Sequence, residues 1–387
     1  MDSSFLGQAY QHPAPNILAD VCEQAATMND VIDLSVGDPD FTTPLPIIDA
    51  AMKAAKAGHT HYTAAMGMPE LRQVVSEDYN HRFGLNYQPT QAMITVGAEH
   101  ALFIALKAVL DPGDEIIVPE PCFSPYIEQV EMCGGQPVIV KTKPEDGFAI
   151  TAEAVAAKIT PKTKGIIINS PNNPTGMVMI PKQLKALAQL AIDKDLLIFS
   201  DEIYYDYVLS GHQFVPMAKY APGNTVTING FSKSFAMTGW RLGYLLAPQW
   251  LTDAAGMVND GVTFSAPTPS QYAALYAIQH HDELAQPITS AFAERLHYLE
   301  TTLNQVDWLK VSSISGSIYA FLDIRATKLN SVDFADQLLK KAGILVVPGL
   351  AFGKAGEGFE RLAATQPLAT LKKAVAKLQQ AKWGVKQ

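Results

Sequence analysis

The sequence predicts an α/β fold: a large unit built on a mostly parallel sheet covered by helices, joined to a smaller α+β unit. Three observations carry this. Short apolar runs without polar alternation recur through the middle of the chain, as strands buried on both faces do. Helical stretches lie between them, and alternating strand and helix implies a parallel sheet between helical layers. In the C-terminal third the alternation gives way to a different pattern, and 387 residues favour two cores over one.

The candidate strands are, in order, Met93–Val96, Glu115–Val118, Pro137–Val140, Gly165–Ile168, Leu196–Phe199, Thr225–Ile228 and Leu242–Leu246. A helix over Ala98–Leu110 is apolar on nearly every side and is stopped by Asp111-Pro112-Gly113. Pro181–Lys194 places Leu184, Leu187, Ala188 and Ala191 on one face, with the proline suited to the first turn. Farther on, Ala291–Leu303 reads as helix and Ser317–Leu322 as strand. Asp333–Lys341 reads as a short amphipathic helix closed by Gly343, and Leu368, Leu371, Val375 and Leu378 mark a last one. The expected division is an N-terminal arm over 1–45 that joins the smaller unit or lies on a partner, a large domain over 46–280 and a small domain over 281–387.

Composition narrows the function. Apolar residues make up 48% of the chain and charged residues 17%, with a net charge of −9 and no Lys/Arg run. Nucleic acid and anionic membranes are therefore poor partners. No apolar run reaches the roughly 18 residues of a membrane span. Met1 to Tyr10 lacks the basic start and apolar stretch of a signal peptide. Three cysteines, Cys22, Cys122 and Cys133, form neither a disulfide framework nor a metal-binding spacing, so they read as buried or incidental thiols in a reducing cytoplasm. None of the 9 histidines has a spacing that suggests a metal site.

The chemistry-bearing residues fall beyond the carboxyl ends of the candidate strands, where open α/β sheets bind ligands. Gly97-Ala98-Glu99 opens a helix after the first strand and can offer free backbone N–H groups to a phosphate. Asn173 lies in the Pro/Gly-rich turn Asn169-Ser170-Pro171-Asn172-Asn173-Pro174-Thr175-Gly176. Asp201 and Tyr204 follow Leu196–Phe199. Lys233 lies just past Thr225–Asn229, with Ser232 before it and Arg241 eight residues later, between Gly239 and Gly243. An amine able to form a Schiff base, a carboxylate for a protonated ring nitrogen, an amide and a phenol for a ring hydroxyl, and a serine and arginine for a phosphate together suit pyridoxal 5′-phosphate.

Asn-Pro-Thr-Gly at 173–176, Ser-Asp-Glu-Ile-Tyr at 200–204 and Ser-Lys…Gly-Trp-Arg-Leu-Gly at 232–243 occur in the order of a known family. Nearly end to end, the chain resembles the class I/II pyridoxal-phosphate aminotransferases of fold type I, those acting on aspartate, aromatic or N-acetyl-diaminopimelate substrates. The resemblance implies a seven-stranded large domain, a homodimer with shared active sites, and an amino acid and a 2-oxo acid as substrates, with 2-oxoglutarate the expected acceptor. It implies that Gly37, in Gly37-Asp38-Pro39-Asp40-Phe41, lines the substrate site. Tyr62, before Gly67-Met68-Pro69-Glu70-Leu71-Arg72, should reach the phosphate in the partner's site.

By the same resemblance Phe123, in Glu120-Pro121-Cys122-Phe123-Ser124-Pro125-Tyr126, stacks on the cofactor ring. Arg361, in Phe359-Glu360-Arg361-Leu362, binds the substrate α-carboxylate. The chain departs from the family pattern in carrying Phe123 rather than tyrosine or tryptophan, Ala363-Ala364-Thr365 after Arg361, and Gly230 where some members have a phosphate-binding serine. Lys233 is the expected acid/base. Two other readings of this kind of chain are a carbon–sulfur β-lyase and the aminotransferase-like ligand-sensing domain of a transcription regulator. The Ala236-Met237-Thr238-Gly239-Trp240-Arg241 stretch favours the transaminase over the first, and the lack of a basic DNA-binding module disfavours the second.

Overall fold

A two-residue strand, Ile32–Asp33 (β1), ties the N-terminal segment to the C-terminal third by pairing in parallel with Ile344–Leu345. The computed structural model describes residues 5–11, 23, 28, 30–381 and 383. The N-terminal arm expected over 1–45 is thus described in part: Leu34, with Ile32 and Phe41 beside it, packs into the C-terminal core, whereas Cys22 and most of 12–29 lie outside the described residues. Asp40 anchors this segment: its carboxylate accepts bonds of 2.6 and 3.0 Å from the fork of Arg295, which also lies 5.2 Å from the ring of Phe41.

All seven apolar runs form one sheet. Its strands are Ala92–Thr95 (β2), Glu115–Glu120 (β3), Gln136–Lys141 (β4), Thr163–Asn169 (β5), Leu197–Asp201 (β6), Thr225–Gly230 (β7) and Gly243–Leu246 (β8). The spatial order is β2-β8-β7-β6-β5-β3-β4, and only β8 runs against the rest. The fold class read from the sequence is therefore observed. The expectation of strands buried on both faces fails at β4, which lies on the sheet edge with Gln136 and Lys141 exposed. The register pairs Asn169 with Asp201 and Asp201 with Ile228, so the carboxyl ends of β5, β6 and β7 open on one edge.

Alternation along the inner strands supplies two faces. Ile167 and Phe199 meet the helix Ala98–Val109, whereas Ile166, Ile168 and Ile198 meet Leu184, Leu187, Ala188 and Ala191 of Pro181–Lys194. That second helix has the bounds and the first-turn proline read from the sequence. A third cluster joins Leu45–Lys56, Pro69–Phe83 and Thr268–Gln279 against the other end of the sheet.

The C-terminal third holds a second sheet. Lys310–Val311 (β9), Tyr319–Asp323 (β10), Val347–Pro348 and Phe359–Ala363 form four antiparallel strands, with Arg361 paired to Phe321 and to Val347. Ser331–Ala342 and Leu368–Gln380 cover it. Gly343 closes the first of these in the left-handed region at φ 62°, as its position suggested.

One helix departs from its expected bounds. It runs His281–Leu303, ten residues longer at its start than the pattern suggested, with Pro287 inside. A proline punctuates a sequence, but here it falls in the second turn, where it removes one internal hydrogen bond and the rest of the ladder stands. Leu284 and Ala285 pack in the cluster of the large sheet, and Ile288 to Leu303 in the C-terminal one. Among the described residues no helix is long and apolar enough to cross a membrane.

Candidate active site

A cavity of about 430 Å³ lies where the ends of β5, β6 and β7 face the second sheet, within the size range of small-molecule and cofactor sites. Its lining includes Lys233, Asp201, Tyr204, Asn173, Ala98, Glu99, Phe123, Ser232, Arg241, Gly37 and Arg361. Residues spread over more than 300 positions thus face one space. Glu360, which precedes Arg361, is instead fully buried on the far side, and both its carboxyl oxygens lack a partner among the described residues.

Lys233 follows β7 on an irregular turn. Tyr207 donates to its carbonyl at 2.6 Å, and the Lys233 amine donates to the Gly37 carbonyl at 2.6 Å. Ala236 and Arg241 both take the left-handed conformation, at φ 50° and 53°, which folds the turn back so that Arg241 returns to the cavity. At the opposite wall Gly97 has φ 86°, and a Cβ there would stand 2.8 Å from Arg241 Nη2. The helix that starts at Ala98 leaves its first N–H groups without intrahelical partners. A glycine, a helix N-terminus and a guanidinium thus converge on a cradle with the donor set and positive character of a phosphate site.

Asp201 ends β6 and is buried. Its carboxylate accepts from Tyr126 at 2.5 Å and from the Ile203 N–H at 3.1 Å. Burial pushes this carboxyl up to about 6 and Glu99 pushes the same way, while the two hydrogen bonds and Lys233 hold it down. Asn173 is fixed by its own N–H to Asn169 Oδ1 at 2.7 Å and accepts from Arg361 Nη1 at 2.9 Å. The other Arg361 Nη donates to the Ser35 carbonyl. Arg361 Nε is buried without a partner among the described residues, a donor free for an anion. A phosphate cradle, an amine, a buried carboxylate and a free guanidinium N–H in one cavity fit the phosphorylated aldehyde that the motifs suggest.

Three expected residues stand apart. Gly97 lines no part of the cavity itself, and acts by yielding space to Arg241. Tyr62 is 83% exposed, in edge-to-face contact with Phe264 at 5.1 Å, and lies outside the cavity. Gly230 lies opposite Gly243 in the sheet, and a side chain there would meet Gly243 Cα at 3.0 Å, so its lack of a hydroxyl follows from strand pairing.

Sequence reasoning missed Tyr126, although Phe123 and Tyr126 lie three apart at a helix start and their rings contact at 5.6 Å. It also missed Tyr319, the one phenol of its strand, and Thr238, which donates to Asp38 at 2.7 Å at the rim.

Comparison with known proteins gives a consistent result. The profile of the family described as aminotransferase class I and II matches residues 29–378. An aspartate aminotransferase of Geobacillus stearothermophilus is 39% identical over 339 residues, 86% of each chain. Aromatic-amino-acid aminotransferase 2 of Thermococcus litoralis is 35% identical over 370 residues, 94% of this chain and 95% of its own. The solved structure of the Thermus thermophilus aspartate aminotransferase with maleate superposes with a TM-score of 0.92 at 36% identity, covering 97% of this chain and 99% of its own.

Proposed function

The chain belongs to the class I and II aminotransferases, pyridoxal-phosphate enzymes that move amino groups, and on that premise we propose a role for each residue of the cavity and a class of substrate. The observation that carries the reading is that Lys233, Asp201 and Arg361 line one space, each held by a different part of the fold. When bound, pyridoxal phosphate supplies the electron sink that makes the substrate α-proton removable.

Lys233 holds the cofactor and, once released, its Nζ takes the proton from the substrate α-carbon and returns it, as a general acid and base. Arg361 binds the α-carboxylate, using the Nε that has no protein partner. The Asp201 carboxylate would pair with the ring nitrogen and favour its protonated form. Asn173 and Tyr204 would bond the ring hydroxyl, and Phe123 would stack on the ring face. Ser232, Arg241 and the backbone N–H groups of Ala98 and Glu99 would hold the phosphate, with Gly97 making room for Arg241.

The reaction runs as a ping-pong exchange, with 2-oxoglutarate as acceptor and a donor drawn from aspartate, aromatic or acyl-diamino acids. Lys233, Arg241 and Arg361 are the cavity's basic side chains among the described residues, and each has a role. A dicarboxylate donor therefore requires a further cation from a neighbouring subunit, whereas an aromatic donor requires none.

An apolar surface patch supports a homodimer. Tyr62, Met257, Val262 and Phe264 are exposed, and bonds from Asn259 to Ala65 and from Thr268 to His61 hold the two segments together. This apolar patch suits a second copy, whose cavity Tyr62 would enter. The buried free thiols Cys122 and Cys133 accord with a cytoplasmic location.

The test is to add single amino acids to the purified holoenzyme without an acceptor and follow the cofactor's visible absorbance. Conversion to the amine form establishes transamination and ranks the donors. Accumulation of pyruvate and ammonia with the band unchanged supports a lyase instead.

A further inference from the structure

Tyr319 opens β10 on the second sheet and is buried. Three groups of the cavity converge on it. Its hydroxyl lies 3.1 Å from the hydroxyl of Tyr204, and the two rings meet edge-to-face at 5.7 Å. The Arg361 guanidinium lies over its ring, 4.4 Å from the centroid, and is backed by Phe352 at 4.8 Å. The third group is Gly37: a Cβ built there would collide with the Tyr319 hydroxyl. Gly37 is also the residue whose carbonyl accepts from Lys233.

We propose that Tyr319 is a positioning residue with two separable actions: its ring face holds the Arg361 guanidinium flat, and its hydroxyl fixes the hydroxyl of Tyr204. The ring accounts for the first action. Arg361 has partners for both Nη groups but none for Nε; the two Nη bonds fix where the head sits, and the Tyr319 ring face, with Phe352 also against it, keeps the guanidinium from tipping out of the plane in which Nε meets a carboxylate. The hydroxyl accounts for the second. Tyr204 is buried, and among the described residues no other holds its hydroxyl by a hydrogen bond. Without Tyr319 the phenol would be free to turn away from the cofactor ring. Because one residue does both, the carboxylate anchor and the cofactor contact keep a fixed spacing.

The proposal rests on the reading of Arg361 as carboxylate anchor and Tyr204 as cofactor contact, and its two actions separate under substitution. Tyr319→Phe keeps the ring and removes the hydroxyl, whereas Tyr319→Leu removes both. Two quantities are measured on the holoenzyme. One is the dissociation constant of 3-phenylpropanoate and of succinate, carboxylates with no amino group to react, by calorimetry. The other is the pH midpoint of the cofactor's visible absorbance.

Tyr319→Phe should leave the carboxylate affinities within about twofold of the parent but move the pH midpoint. The shift should match that of Tyr204→Phe, and the double variant should move no further, because the two hydroxyls act through one contact. Tyr319→Leu should weaken carboxylate binding by about tenfold as well.

An unmoved midpoint in Tyr319→Phe overturns the hydroxyl's role, and unchanged affinity in Tyr319→Leu overturns that of the ring. Equal losses of affinity in both variants, with a common fall in Tm, mark Tyr319 as packing and overturn the whole. Arg361→Lys identifies failure of the underlying reading: if it binds both carboxylates as the parent does, the anchor is elsewhere and the proposal falls with it.

Discussion

Arg241 Nη2 occupies the space that a side chain on Gly97 would need, 2.8 Å from where its Cβ would stand. The two residues are 144 positions apart in sequence, and the proposed phosphate cradle depends on one lacking what the other fills. Gly97 also has φ 86°, a conformation that L residues rarely adopt. Gly97→Ala should therefore weaken pyridoxal-phosphate affinity by about tenfold, or about 1.4 kcal/mol, through displacement of Arg241. Titration of the cofactor-free protein with pyridoxal phosphate checks this, and unchanged affinity would show that Arg241 is dispensable to the cradle.

Lys233→Ala should abolish turnover and the visible absorbance that depends on the lysine–cofactor linkage, with little change in thermal stability, since among the described residues the amine bonds only the Gly37 carbonyl. Normal turnover in this variant would remove Lys233 from the mechanism.

Asp201→Ala should still bind the cofactor, because the phosphate cradle is built from other residues, but it should lose most activity. The carboxyl lies at about 6 in the cofactor-free protein and so gains its charge as pH rises through that value. A loss of function at low pH that moves upward in Tyr126→Phe would report this group, because the Tyr126 hydroxyl favours the charged form. Near-parental rates in Asp201→Ala would refute its pairing with the ring nitrogen.

Burial drives the Glu360 carboxyl well above its ordinary value of 4.5, and Glu357 pushes it the same way. The folded protein therefore keeps a proton that the unfolded chain gives up, so stability falls as pH rises above 4.5. Glu360→Leu removes this burden, and its Tm should exceed the parent's by a margin that widens with pH. Thermal melts at a series of pH values measure the margin; a constant or negative one would mean that the carboxyl has a partner in solution.

Tyr62→Ala and Phe264→Glu should shift the assembly toward monomer and weaken cofactor binding together, as sedimentation velocity and cofactor titration would report. A variant that stays dimeric with unchanged affinity would place the interface elsewhere on the surface.

The sheet was legible because each of its strands carries a short run rich in apolar residues, a signal that needs no tertiary information. Lys233, Asp201 and Asn173 were legible because each sits in a short motif at a strand end. Other features depend on the packed chain. Asp40 and Arg295 form a partly buried pair across 255 positions, and nothing near either residue announces the other. Tyr319 reads as one more strand residue until Arg361 is laid over its ring. The start of the helix His281–Leu303 was hidden by Pro287, a residue whose usual meaning is termination.

That helix has a mechanical consequence. It is a single shaft seated in two sockets, with Leu284 and Ala285 in one hydrophobic cluster and Ile288 onward in the other. Pro287, which has no amide hydrogen to donate within the helix, stands where the shaft passes from one cluster to the other. Arg361 and Tyr319 belong to the second sheet and Asp201 to the first, so one continuous helix is seated in the cores beneath both walls of the active-site cleft.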